Sequence, residues 1–139
     1  MQSDPFRRAA AYWSRKRAGR RFPPKDEIDP AQLGAAALHV AIVDMVDGDY
    51  LHRYAGAAVE RALAIGMQDL SASALEAQRP AFKAWRNGLE SARALGAPHM
   101  ANLDIDGRRA RVAFLPVAAS AADDRVDQVF AVVEGLPPG

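Results

Sequence analysis

Few side chains in this sequence are suited to metal or covalent chemistry. The chain has three histidines, His39, His52 and His99, and no cysteine. Without cysteine it cannot form disulfides, thiolate metal sites, cysteine nucleophiles or cysteinyl cofactor adducts. No two histidines stand three or four residues apart, the spacing that places two metal ligands on one helical face. The sequence therefore predicts no metal site.

General acid–base chemistry has one candidate pair, Asp44 with His52. A small α+β enzyme of the isomerase or dehydratase type would need a buried carboxylate near a general acid. Arg53 offers Asp44 a different partner, because the two residues flank the same predicted hairpin. We favour this ion pair over binding of a ligand carboxylate by Arg53, and we interpret His52 as a residue on the polar face of its strand. The chain is predicted not to be an enzyme, with the isomerase or dehydratase as an alternative.

Charge is distributed unevenly along the chain. Residues 1–25 contain eight Lys or Arg and one Asp, whereas residues 26–139 contain ten basic and sixteen acidic residues. We call residues 1–25 the basic head and residues 26–139 the acidic body. Such a head can bind nucleic acid, bind an anionic partner protein, or pack against the acidic body of its own chain. The body carries no base-reading or stacking motif, and its negative charge repels phosphates. Nucleic-acid binding through the Arg-rich segment is therefore the weaker alternative.

Length and hydropathy indicate one soluble domain. A chain of 139 residues has room for a single domain that buries roughly two thirds of the surface exposed by its unfolded form. No apolar run approaches the roughly 18 residues that span a bilayer, and the N-terminus lacks the apolar segment of a signal peptide. We expect a cytoplasmic protein without membrane contact.

The first forty residues predict two helices. Asp4-Pro5 is a typical helix start, and Phe6, Ala9 and Trp13 then recur at helical spacing. Gly19 and the Pro23-Pro24 pair end this helix and predict a turn. Asp29-Pro30 repeats the start signal and predicts a short helix through about Ala37.

Two strands and several helices follow. The apolar, β-branched run 38–46 and the segment 50–55 flank an Asp-Gly-Asp turn, which predicts a hairpin. A short helix is expected over 57–65, and the segment 66–78 has no clean period and is expected to be loop with one helical turn. Apolar residues at i, i+3, i+7 and i+10 then predict a helix from Pro80 to about Gly96. These four residues are Phe82, Trp85, Leu89 and Ala92.

Three strands complete the chain. The segments 98–105 and 108–117 flank Asp106-Gly107, the strongest hairpin signal in the sequence. The segment 118–124 reads as a loop before a last strand at 125–134. The order predicts an α+β fold, a five-stranded antiparallel sheet with helices on one face, preceded by an amphipathic helix. We divide the chain into a helical extension (1–36), a domain that contains the sheet (37–135) and a tail (136–139).

Short motifs along the whole chain carry a resemblance to a known family. They are Tyr12-Trp13, Arg17-Ala18-Gly19-Arg20, Pro24, Glu27-Ile28-Asp29-Pro30, Val43-Asp44, Arg53, Gly56, Asp106-Gly107, Leu115-Pro116 and the segment 124–129. In this order they resemble a bacterial family of small PAS-domain proteins. PAS domains have the strand and helix order predicted above, and they serve as sensory and interaction modules.

The resemblance implies a cavity between the sheet and the helices. Ligand chemistry there is restricted, because cysteinyl flavin and chromophore adducts need a cysteine, and haem bound to the long helix needs a histidine that 56–96 lacks. A noncovalent flavin or a small metabolite stays open, and the cofactor is unknown. The candidate cavity residues are Met45, Arg53, Tyr54, Met67, Trp85, Leu89, Phe114 and Phe130.

The resemblance also implies signalling by protein contact, because the chain has no space for an effector domain. We predict an adaptor that forms a homodimer or binds a regulatory partner through its N-terminal helix and the open sheet face. Aromatic side chains contribute much of the binding energy at interfaces. The predicted interface residues are Phe6, Tyr12, Trp13, Arg17 and Arg20. In the alternative interpretation, Tyr12 and Trp13 pack the helix onto its own domain.

Overall fold

Tight turns with left-handed backbone join two pairs of strands. The computed structural model describes residues 3–137 of the chain. Asp47 and Gly48 have φ angles of 52° and 78°, and Asp106 and Gly107 have φ angles of 53° and 85°. Positive φ at both central residues is the geometry that Asp-Gly favours in two-residue hairpins. The strands in this range are β1 (Val40–Val46), β2 (Asp49–Ala55), β3 (His99–Ile105), β4 (Arg108–Ser120) and β5 (Asp123–Gly135).

The strands form one antiparallel sheet in the order β2-β1-β5-β4-β3. This five-stranded arrangement confirms the predicted fold class. The last two strands are longer than predicted, because register shifts after Val117 allow pairing to continue to Ser120 opposite Asp123. The predicted loop over 118–124 is therefore wrong, and only residues 121–122 separate these strands.

Three helices cover one face of the sheet. They are α2 (Ala57–Leu63), α3 (Ala72–Gln78) and α4 (Lys83–Leu95), and a 3-10 turn at Pro80–Phe82 leads into the last of them. The second half of the segment 66–78 forms the seven-residue helix α3, which is longer than the single helical turn expected there. The Ser71 side chain caps this helix by accepting from Ala74 N at 3.0 Å. Burial of Leu75 against the sheet stabilises this short helix, so tertiary packing outweighs the weak periodicity.

The inner layer of the molecule lies between the sheet and these three helices. Its largest members are fully buried and come from both sides of the layer. They are Leu63, Met67, Leu75, Phe82, Trp85, Leu89, Ile105 and Phe114. The predicted helical stripe of Phe82, Trp85, Leu89 and Ala92 is thus confirmed as core.

The N-terminal helix α1 (Asp4–Arg17) covers the opposite face of the sheet. The N-cap of this helix is Ser3, whose hydroxyl accepts from Phe6 N at 3.3 Å. The sequence prediction took Asp4 as the N-cap, which is one residue too late. The helix ends where Ala18 and Gly19 adopt φ angles of 51° and 78°. The outer layer between α1 and the sheet contains Phe6, Ala9, Tyr12, Trp13, Ile42, Leu115, Phe130 and Val132.

The chain from α1 to the sheet forms two 3-10 segments, at Lys25–Glu27 and Pro30–His39. Asp29 caps the second by accepting from Ala31 N at 3.0 Å, which confirms the predicted start signal. Before them, Pro23 O accepts from Ala118 N at 2.9 Å, so the linker runs beside the sheet. In residues 3–137 no helix is long and apolar enough to cross a membrane.

Candidate functional site

Five of the eight predicted cavity residues lie in the inner layer. Met67, Trp85, Leu89 and Phe114 are fully buried there, and Met45 packs at its edge. The Trp85 and Phe114 rings meet edge to face, with their centroids 5.3 Å apart. A Cβ atom on Gly88 of α4 would lie 2.3 Å from the Phe114 ring, so this helix and the sheet are in direct contact. Protein side chains therefore fill the centre of this layer.

His52 is the polar residue of the inner layer. Its side chain is completely buried, so the prediction that it lies on a polar strand face is wrong. Trp85 Nε1 donates to His52 Nε2 at 2.9 Å, and His52 Nδ1 lies 2.7 Å from Leu70 O. A neutral imidazole with its proton on Nδ1 satisfies both partners. Burial lowers the pKa of His52, which keeps the ring neutral.

Asp44 lies on the opposite face of the sheet and has two polar partners. Arg53 of the neighbouring strand forms an ion pair with its carboxylate, which confirms the predicted pairing across the hairpin. Gln128 Nε2 of β5 donates to Asp44 Oδ1 at 2.7 Å. The carboxylate is almost completely buried, whereas the Arg53 side chain is 66% exposed. Asp44 thus links three neighbouring strands on the outer face.

The predicted acid–base pair of Asp44 and His52 does not form. Register places Val43 opposite His52 and places Asp44 opposite Leu51. Because successive side chains of a strand alternate between the two faces, Asp44 points to the outer face and His52 to the inner one. The two groups are separated by the sheet itself, so neither can assist the other in proton transfer.

The other three predicted cavity residues, Arg53, Tyr54 and Phe130, also lie on the outer side. Ile42 pairs with Tyr54 and Val43 pairs with His52, so Arg53 is an extra residue in β2 at this point. This bulge interrupts the alternation of β2 side chains between the two faces of the sheet. Arg53 and Tyr54 line an outer groove of about 320 Å³, with Ile42 and Gln128 among its other walls. The placement of these three residues in a cavity below the helices is therefore wrong.

The three predicted interface aromatics are buried within their own chain. Phe6, Tyr12 and Trp13 are 1%, 2% and 6% exposed. Trp13 Nε1 donates to Pro116 O on β4 at 2.8 Å, and the Tyr12 hydroxyl donates to Gln32 Oε1 at 2.7 Å. This confirms the alternative in which Tyr12 and Trp13 pack α1 onto the domain. In this conformation none of the three rings can reach another molecule.

The two predicted interface arginines have different surroundings. Arg20 forms a double hydrogen bond with Glu27, at 2.8 and 3.1 Å, and this bond holds the pKa of that carboxyl below its usual value. Arg17 is exposed, and its guanidinium lies over the Trp13 ring at 5.8 Å from the centroid. Arg20 therefore fastens the linker, and Arg17 stays on the surface.

A row of exposed cations follows the solvent side of α1. We call it the arginine surface and define it as Arg7, Arg8, Arg15 and Arg17. Arg7, Arg8 and Arg15 line a shallow groove of about 410 Å³ between α1 and the 3-10 segment Pro30–His39. Arg7 pairs with Asp4, whereas Arg8 and Arg15 make no side-chain ion pair or hydrogen bond within residues 3–137. Arg8 and Arg15 therefore contribute positive charge that no ion pair within residues 3–137 neutralises.

Some polar residues with clear structural roles were missed by the sequence reasoning. The Tyr50 hydroxyl is bonded to Glu90 of α4 and accepts from Arg93 Nε at 3.1 Å, and burial with this bonding raises the pKa of Tyr50 to about 12. Glu90 and Arg93 stand three residues apart, which is the only local signal for the cluster. Gln128 offered no signal, because its partner Asp44 lies 84 positions away.

The comparison with protein families agrees with this fold. A family model described as a PAS domain matches residues 1–126. The chain belongs to the PAS domain family. No curated protein and no solved structure matches it.

Membership of the PAS family supports a sensory or signalling type of module. The family match includes α1 together with most of the sheet, so the helix and the sheet are matched as one segment. The division into residues 1–36, 37–135 and a tail at 136–139 stays a prediction. Positions 138–139 of that tail lie outside the described residues.

Proposed function

We propose that this PAS-domain chain is a signalling adaptor of the bacterial cytoplasm that acts by protein contact. Its partner is a second copy of the chain or a regulatory protein with an acidic surface. The observation that carries the proposal is the division of α1 into two sides. One side is buried in the outer layer, and the other presents the arginine surface to solvent.

Charge complementarity supports this choice of partner. Arg8 and Arg15 stand beside a groove without a carboxylate partner among the described residues. Residues 26–139 of the same chain carry ten basic and sixteen acidic residues, so a second copy offers the opposite charge. Charged contacts of this kind mainly set the partner, the orientation and the association rate.

Rigid attachment of α1 supports a role in relaying a signal. Trp13 bonds to Pro116 O on the sheet, and the Tyr12 hydroxyl accepts from Asp29 N at 2.9 Å. A rearrangement of the sheet or of the linker would therefore move the arginine surface with it. This connection provides a route from the body of the PAS domain to a bound partner.

The filled inner layer supports protein contact over a ligand held between sheet and helices. Trp85 and Phe114 occupy the centre of the layer and are both fully buried. A small metabolite or noncovalent flavin at that position would have to displace these rings. Native mass spectrometry of freshly purified protein tests this point, and a small molecule retained equally by the native chain and by R61Q/R108Q would contradict it.

Nucleic-acid binding is the alternative, and the aromatic residues of the basic head argue against it. Proteins that bind single strands combine positive charge with exposed aromatic rings on which bases stack. Tyr12, Trp13 and Phe22 are 2%, 6% and 4% exposed, so they offer no such platform. Binding to an oligonucleotide with a steep logarithmic salt dependence would favour the alternative over protein contact.

The proposal is tested with two matched variants that each remove two exposed positive charges. R8Q/R15Q changes the arginine surface, and R61Q/R108Q changes exposed arginines outside it. Analytical ultracentrifugation over a concentration series should show self-association of the native chain and of R61Q/R108Q, and weakened association of R8Q/R15Q.

A strictly monomeric native chain would remove the second copy as the partner. Crosslinking in the source cells then tests the regulatory partner, whose crosslinks should be lost in R8Q/R15Q and kept in R61Q/R108Q. Partner crosslinks that do not change in R8Q/R15Q would overturn the proposal. Circular dichroism spectra of all three proteins should coincide, because every substituted side chain is exposed.

A further inference from the structure

A second concave site lies at the end of the sheet, away from the arginine surface. It has a volume of about 380 Å³ and is built from α2, the turn between β3 and β4, the start of β4, the end of β5 and the residue before β1. Small residues line much of it and leave the concavity open. These are Ala58, Ala62, Gly107 and Gly135.

Every charged side chain that lines this pocket is basic. Arg61 comes from α2, Arg108 and Arg109 come from the start of β4, and His39 stands before β1. Arg61 and Arg108 are exposed, and within residues 3–137 neither makes an ion pair or a side-chain hydrogen bond. Arg109 donates to Pro137 O at 3.2 Å and has no carboxylate partner in that range.

The carboxylates nearest to these arginines along the chain are engaged elsewhere. Asp106 pairs with Arg79 at 3.4 Å, and Asp104 accepts from Gly107 N at 2.8 Å. Glu60, the residue before Arg61, accepts from Met67 N at 2.6 Å.

On β5, Glu134 pairs with Arg111 at 3.0 Å. None of these four acids is among the residues that line the pocket. The lining of the pocket is therefore basic, with no carboxylate among its residues.

We propose that this pocket binds a small molecule carrying two anionic groups of the phosphate or carboxylate type. A guanidinium presents two parallel donors that match the oxygens of either group, and Arg61 and Arg108 are both available for such contacts. The volume of about 380 Å³ lies at the small end of the range of ligand pockets. The site would make a metabolite the input of the module without opening the inner layer.

The pocket is tested by isothermal titration calorimetry at physiological salt with pyrophosphate and with succinate as probes. These two probes distinguish phosphate from carboxylate chemistry. The native chain should bind one of them saturably with one site. R61Q/R108Q should bind it about tenfold or more weakly, because two charge-assisted contacts are lost.

The control is R8Q/R15Q, which removes the same charge from the arginine surface and should bind the probe like the native chain. An equal loss of probe affinity in both variants would show a diffuse charge effect and would overturn the proposed binding site. Absence of saturable binding of both probes to the native chain would overturn it as well. Failure here leaves the proposed protein contact intact, because that contact is tested by R8Q/R15Q in a different assay.

Discussion

The two faces of the sheet are built on different principles. The inner layer is largely apolar, and its completely buried polar side chain, His52, is hydrogen-bonded to Trp85 and Leu70. The outer layer is also apolar beneath α1, but a charged network of Asp44, Arg53 and Gln128 lies beside it. The inner layer buries the His52 ring completely, whereas the outer layer leaves the guanidinium of Arg53 in contact with solvent.

The two layers therefore differ in how much of the molecule depends on them. Side chains of the inner layer come from three helices and all five strands of the sheet, so a local change there affects most of the molecule. The outer layer depends on a single helix that carries the arginine surface on its other side. A signalling module gains from this arrangement, because elements that move are drawn from the less stable parts of a fold.

Replacement of one tryptophan in each layer should give the largest contrast. Trp85→Ala should lower the free energy of unfolding by about 3–5 kcal/mol, because it opens a cavity in a fully buried region. Trp13→Ala should cost about 3 kcal/mol, the lower end of this range, because Trp13 is 6% exposed whereas Trp85 is completely buried. Urea denaturation followed by circular dichroism measures both, and a larger loss for Trp13→Ala would reverse the proposed ranking of the layers.

Gly88→Ala should destabilise the inner layer although alanine favours helices. The added Cβ would lie 2.3 Å from the Phe114 ring, which the Trp85 ring holds in place. Overpacking of this kind costs about 1–3 kcal/mol, more than the roughly 1 kcal/mol gained in helix propensity. Thermal unfolding compared with Asn87→Ala, an exposed neighbour on α4, measures the effect. An increase in stability for Gly88→Ala would show that the layer yields more easily than the contact indicates.

Substitution of His52 tests whether the hydrogen bonds of this buried ring stabilise the inner layer. His52→Leu leaves the buried Trp85 N–H without its acceptor and should cost about 1–3 kcal/mol. His52→Gln keeps one acceptor and one donor and should cost less. Urea denaturation at neutral pH distinguishes the two, and equal losses would contradict the role of the hydrogen bonds.

The same residue predicts a pH dependence. The pKa of His52 is lowered in the folded state, so the unfolded chain takes up the proton first as the pH falls. The contribution of the neutral ring is complete above the ordinary histidine pKa of about 6.5 and decreases below it. The stability advantage of the native chain over His52→Gln should therefore shrink between about pH 7 and pH 5. An advantage that grows over this range would contradict the assigned protonation state.

Arg53 should give the smallest effect. Arg53→Gln removes the ion pair with Asp44, but the arginine side chain is 66% exposed and its charge is screened by solvent. The expected loss is about 0–1 kcal/mol. Gln128→Leu is the matched change on the buried side of the same carboxylate and should cost more, because the buried Asp44 Oδ1 then loses the hydrogen bond donated by Gln128 Nε2. Thermal unfolding of both variants measures the difference, and a larger loss for Arg53→Gln would contradict it.

Much of the fold could be predicted because its signals are local. The Asp-Gly turns, the Asp29 cap and the helical stripe from Phe82 to Ala92 depend on residues close together in the sequence. The misses arose where distant residues decide the outcome. The helix α3 forms because Leu75 is buried against the sheet. The strands β4 and β5 are longer than predicted because they continue to pair with each other up to Ser120 and Asp123.

The candidate site was predicted less well for the same reason. The sequence identified Trp85, Leu89 and Phe114 as large residues of one layer, and it identified the pairing of Asp44 with Arg53. It could not show that Arg53 and Tyr54 lie on the outer side. That placement follows from a register shift in the first hairpin, which involves the partner strand.

The sequence by itself determined the order of helices and strands, the two Asp-Gly hairpins and the basic character of the N-terminal segment. These properties follow from local backbone preferences and from composition. Only the tertiary structure decided which face each polar side chain occupies. It turned Tyr12 and Trp13 inward, separated Asp44 from His52, and gathered Arg61 and Arg108 from distant elements into one pocket. The physical reason is that burial, register and charge neutralisation are settled between elements that the chain brings together only on folding.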